Sequence, residues 1–170
     1  TVSVALPVPA GSRCKGSNAR GQDRSSIQGV AHMDVTQIPF NKFLEIVQSD
    51  TNNQTFVLKL NDNMKNHLGT FHASAQFALA EACSGASLLM QFPHLEHLVV
   101  PVLRKSEIKY KKPAQTDIQA KAHIAAEERE NFEQQLEKKS RATIVVHVEI
   151  FDNNGAVTMS GAFEWFVHRL

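Results

Sequence analysis

The stretch from Phe71 to Phe92 limits this chain more than any other, because it is almost entirely apolar or small: Ala, Ser, Gly, Cys, Leu, Phe and Met. Small residues on several faces let neighbouring backbone approach from more than one side, so the segment reads as a central helix buried by the rest of the fold. At about 1.5 Å per residue it makes a rod of roughly 30 Å. Pro93 ends it, since proline disfavours helical geometry in the residue before it. The length raises a membrane span, but Gln76, Glu81 and the repeated Ser and Gly argue against one.

Glu81 stands alone in the middle of that helix. Phe77, Ala78, Ser84 and Gly85 occupy the positions three and four residues away, so no lysine or arginine of the same helix reaches it. A carboxylate carried into apolar surroundings without a partner costs several kcal/mol or takes up a proton. Either Glu81 reaches solvent or it is kept for chemistry.

The remaining composition sets wide bounds. A chain of 170 residues that is 42% hydrophobic can bury the core of one domain. Eighteen Lys and Arg against seventeen Asp and Glu leave a net charge of +1, which gives no global attraction to nucleic acid. Cys14 lies in a polar tail and Cys83 in the central helix, so no disulfide framework is expected and a cytoplasmic location follows as the default. Residues 1–32 differ from the rest. Their apolar run is broken by Pro7 and Pro9, too early for a secretory signal. Arg13, Lys15, Arg20 and Arg24 against Asp23 are compatible with an organellar transit peptide, although a disordered extension is the blander reading. The expected organisation is an extension over 1–32 and a single domain over 33–170.

Before the helix, Phe40, Phe43, Leu44 and Val47 have helical spacing over Pro39 to Gln48, and Thr55 to Leu60 alternates as a first strand. After it come four strand patterns: Leu98 to Lys112, Thr116 to Ile124, Arg141 to Phe151 and Ala156 to Val167. In the first of these, Arg104 and Ser106 share a face with Ile108 and Tyr110. Asp152-Asn-Asn-Gly155 is a hairpin signal between the last two. Glu127 to Lys139 reads as a solvated loop or a short helix. The pattern predicts an α+β domain, an antiparallel sheet wrapped around the long central helix.

Asn66-x-x-Gly69-Thr70-x-His72, with Glu81 nine residues further on, resembles the active-site segment of the hot-dog-fold acyl-CoA thioesterases. A bacterial subgroup of that family is similar in more detail, through Asn66-His-Leu-Gly-Thr70, Leu79-Ala-Glu81 and the later Tyr110-Lys-Lys-Pro-Ala114-x-x-Asp117-Ile118. The similarity covers about residues 38–168. Two positions depart from it: Ala73-Ser74 stands where Gly-Gly is usual, and Leu103 where some relatives place a serine.

The resemblance implies hydrolysis of acyl-CoA to free acid and CoA. Glu81 would be general base or nucleophile, Asn66 would orient Glu81 or a water, and the N–H of Ala73 would hold the oxyanion, which alanine supplies as well as glycine. His72 is either part of that site or only a helix-start residue. Gly69 and Thr70 would bind substrate, and Arg104 and Lys105 would receive CoA phosphates unless they merely guard an edge strand. No metal or redox cofactor is implied, CoA entering only as part of the substrate. Ala73 and Glu81 lie about 12 Å apart on one helix, so one chain cannot easily assemble both around one carbonyl. The expected partner is therefore a second copy, in a homodimer or tetramer, with no nucleic acid and no membrane span. A hydratase or dehydratase using His72 with Glu81, and a non-catalytic acyl-CoA-binding domain, remain as alternatives.

Overall fold

The structure, a computed structural model, describes residues 33–52 and 54–170; the expectations for residues 1–32 lie outside the described residues. The central helix forms as α2, Ala73–Gln91, nineteen residues long. Its start is set by His72, which stays extended at φ −64° and ψ 141° while its Nδ1 accepts the N–H of Ser74 at 3.1 Å. Phe92 leaves helical geometry at ψ 60° ahead of Pro93. Leu79, Ala80, Cys83 and Ser84 have no exposed surface at all, and Ala78, Ala82, Ala86 and Leu88 are also buried, so more than one face of the helix is covered.

The sheet has six antiparallel strands in the order β1 (Val47–Gln48), β2 (Thr55–Leu58), β4 (Ile118–His123), β5 (Arg141–Asp152), β6 (Val157–Arg169) and β3 (Val99–Tyr110). Alternation decides its inner face: Ala142, Ile144, Val146, Val148 and Ile150 of β5 are buried, as are Phe163, Trp165 and Val167 of β6, and α2 packs on that face. A long helix on one face of an antiparallel sheet is the α+β hot-dog fold expected from the sequence. The hairpin at Asp152–Gly155 closes as its residues dictate. The Asp152 carboxylate accepts from the N–H groups of Asn154 and Ala156, both at 2.9 Å.

Three expectations are corrected. The helix begun at Pro39 is only α1, Pro39–Phe43, because Glu45 turns to φ 61° and sends Val47 and Gln48 into β1 against Val57 and Phe56. Phe40 and Phe43, read as the apolar face of a longer helix, are exposed. The charged segment settles as a full helix, α3 (Ala126–Lys139), with Glu127 and Glu128 in its first turn and Lys138 and Lys139 in its last, each charge complementing the helix dipole. Phe132 and Leu136 anchor α3 in the core, Phe132 against Phe92 with ring centroids 4.8 Å apart. Finally, the β3–β6 register shifts between Leu103 and Lys105. This bulge removes Arg104 from the face of Ile108 and Tyr110 and puts it over the ring of Phe166, 3.7 Å from the centroid.

Candidate active site

The loop that leads into α2 is organised by one side chain. Asn66 Nδ2 donates to Thr70 Oγ1 at 2.9 Å and to the Phe71 carbonyl at 3.3 Å, while Oδ1 accepts from the N–H groups of Leu68 at 2.9 Å and Thr70 at 3.2 Å. Those four bonds use up what an amide can donate and accept. Asn66 therefore holds the loop within the protomer, and the role expected for it, turning Glu81 or a water, is not the one its hydrogen bonds serve. Gly69 provides the φ of 74° that the turn needs, and Thr70 is buried with its N–H, carbonyl and hydroxyl all directed to Asn66. Phe71 fixes the exit of the loop through its N–H on the Ala114 carbonyl at 2.9 Å, and its ring is buried.

At the helix start the amides of Ser74, Ala75 and Gln76 are all satisfied by His72, the first by its ring and the others by its carbonyl at 3.0 and 3.2 Å. The N–H of Ala73 is left without an acceptor among the described residues, at an exposed position and at the positive end of the dipole. The Tyr110 hydroxyl donates to the Ala73 carbonyl at 3.0 Å and ties the end of β3 to this point. His72 thus acts as the helix cap.

Two turns further along, Glu81 is half-buried and has no ion pair among the described residues. Burial alone raises its carboxyl above the ordinary range. It borders a cavity of about 210 Å³ walled by Ala82, Gly85 and Leu89 of α2, Pro101 of β3, Trp165 of β6, and Val35, Ile38 and Asn41 from the segment before β1. Trp165 is held in place by its Nε1–H on Ser84 Oγ at 3.1 Å, and the Ser84 hydroxyl donates to the Glu81 carbonyl at 2.7 Å. Cys83, one residue from this wall, is fully buried and its thiol is pushed up to about 12, which makes it core and not nucleophile.

The expected residues are therefore not all brought together. Asn66, Gly69, Thr70, His72 and Ala73 form one site at the helix start, and Glu81 stands alone at the cavity. Arg104 and Lys105 lie on the outer face of the sheet, with Lys105 paired to Glu107 at 2.6 Å, so within the protomer they are across the sheet from Glu81. The cavity walls went unread. Gly85 and Leu89 follow Glu81 at helical spacing and were a usable signal, whereas Trp165 arrives from the far end of the chain and left none. Among the described residues, no group of three or more His, Cys, Asp or Glu is placed to hold a metal ion, and no helix is long and apolar enough to cross a membrane.

Comparison with solved structures places this architecture among known relatives in fold. A Pseudomonas aeruginosa protein of unknown function, described as a probable thioesterase, matches with a TM-score of 0.67 at 22% identity, over 80% of this chain and 91% of that one. A thioesterase from Haemophilus influenzae matches at 0.62 and 16% identity, over 80% and 87%. A Bacillus halodurans protein solved with CoA matches at 0.59 and 22% identity, over 75% and 74%. No curated protein matches the chain in sequence. Residues 41–167 match the family described as a domain of unknown function (DUF4442), and the chain belongs to that family.

Proposed function

We propose that this protein hydrolyses acyl-CoA thioesters at a site shared by two copies of the chain. The observation that carries the reading is Glu81, a half-buried carboxylate without a cation among the described residues, set in the wall of an apolar cavity. Its raised pKa suits a general base, which must be ionised yet eager for a proton near neutral pH. Glu81 takes a proton from water, and the water oxygen attacks the thioester carbonyl carbon. The resulting oxyanion is held by the free N–H of Ala73 from a second copy. The C–S bond then breaks, and the proton on Glu81 passes to the thiolate, leaving free acid and CoA. Direct attack by the carboxylate, with water cleaving the anhydride afterwards, uses the same groups.

A second copy is required because Ala73 and Glu81 of one helix are about 12 Å apart. The sheet offers a place for it: among the described residues, β3 is an edge strand of twelve residues with only β6 beside it. The similarity in fold to thioesterases, and to a protein solved with CoA, supports the choice of substrate class. A hydratase is disfavoured, since the His72 ring is occupied as helix cap more than two turns of α2 from Glu81.

The test is complementation. Glu81→Gln and Ala73→Pro are each made as homodimers, checked for folding, and assayed for thiol release from acyl-CoA; both should be inactive. After subunit exchange, about half of the dimers are mixed and each has one intact site, so about a quarter of the parental activity should return. Variants that fold, exchange and stay inactive rule out the shared site. A stable, active monomer in light scattering does the same.

A further inference from the structure

The cavity beside Glu81 is lined along two turns of α2, from Glu81 to Leu89, a span of about 12 Å, and Pro101 stands with Leu89 in its wall. The next void past those two residues measures only about 10 Å³, room for no more than one water. Behind it, the rings of Phe92 and Phe132 close the core. The side wall is equally fixed. A Cβ built on Gly85 would lie 3.2 Å from Cζ2 and Cη2 of Trp165, so the indole already fills the space that Gly85 leaves open. The Trp165–Ser84 hydrogen bond prevents that ring from swinging away.

Volume translates these walls into a ligand. A dry cavity of about 150 Å³ takes up a benzene ring. The 210 Å³ here has room for a ring with one or two further carbons, or a chain of about six to eight carbons. Building on the thioesterase reading above, we infer that the cavity is an acyl pocket of limited length. It accepts hexanoyl, octanoyl or phenylacetyl groups and excludes long fatty acyl chains, with Leu89 as its end and Trp165 as its side wall.

Thiol release from butyryl-, hexanoyl-, octanoyl-, phenylacetyl- and palmitoyl-CoA, kept below micelle-forming concentrations, tests this. Each methylene that enters the pocket should raise kcat/KM by up to about fourfold. The maximum is expected at hexanoyl to octanoyl and at phenylacetyl, with palmitoyl at least about tenfold lower. Leu89→Ala should move the maximum about two or three carbons longer by opening the end. Trp165→Phe, which widens the side, provides the same test should the first variant fail to fold. Trp165 is the only tryptophan in the chain, so its emission reports occupancy without turnover. In Glu81→Gln the emission should change saturably with octanoyl-CoA and remain constant with palmitoyl-CoA. Palmitoyl-CoA cleaved as well as octanoyl-CoA overturns the length limit while leaving the thioesterase reading intact. Saturable emission changes with no thiol released from any ester by the parent protein support the pocket and overturn the thioesterase reading. Neither turnover nor an emission change overturns both.

Discussion

The start and the middle of α2 are built on opposite rules. At the start the backbone is closely matched: Asn66 spends its whole amide on the loop, and His72 caps three of the first four amides. In the middle, the Glu81 carboxylate has no ion pair among the described residues and is half-buried beside apolar groups, at a cost in stability that local substitution could remove. On the proposed reading the start serves order and the middle serves chemistry. Strain of this kind is tolerated where activity needs it.

If the contrast is correct, substitutions around the helix start and at Glu81 should move activity and stability differently. The largest effect is expected from Glu81→Gln, which should lower kcat by about 10²–10⁴ in thiol-release assays. Its stability should change in the other direction. The raised carboxyl pKa means that the contribution of Glu81 to stability is complete below the ordinary carboxyl range and is lost as pH rises through the folded-state value. Melting curves should therefore coincide near pH 4 and separate towards pH 8, with the variant about 1–4 °C higher. A variant less stable than the parent at pH 8 would mean that Glu81 has a partner.

Asn66→Ala should be the reverse. Four hydrogen bonds disappear together, so the chain should lose about 2–4 kcal/mol, or roughly 5–10 °C in Tm. Activity should fall as the loop before Ala73 loosens, and the pH profile should keep its shape. His72→Ala is the mildest probe. Removing the ring that caps Ser74 should cost about 1 kcal/mol in chemical denaturation. It should leave the acidic limb of kcat where it was, because that limb belongs to Glu81. A shifted limb would return His72 to the chemistry.

What could be read in advance was whatever depends on nearby residues. α2 was legible because its composition is extreme and Pro93 stops it, and the last hairpin because Asp152 and Gly155 fix its turn. The short strand Val47–Gln48 was not, since its state is decided by pairing with Phe56 and Val57 and by a positive φ at Glu45. A bulge leaves no local trace either, so Arg104 was placed on the wrong face. The motif drew attention to Asn66, Ala73 and Glu81 but not to what they touch. Asn66 proved to be a loop staple because neighbours four and five residues away offered better hydrogen bonds than a distant carboxylate. The cavity combines residues from near Met33 to Trp165 and exists only once the sheet is formed.

The order of the strands also has a consequence for how the chain is made. β3 ends at Tyr110, yet its only partner in the sheet among the described residues is β6, whose last residue, Arg169, pairs with Val99. At about 5–20 residues per second, the ribosome needs on the order of 3–12 s to make the intervening chain. Throughout that time the apolar run Leu98–Leu103 lacks the strand it pairs with in the folded sheet. Arg104 and Lys105 directly follow it, with Lys109, Lys111 and Lys112 further along, and charges beside an unpaired apolar strand oppose its association with other chains.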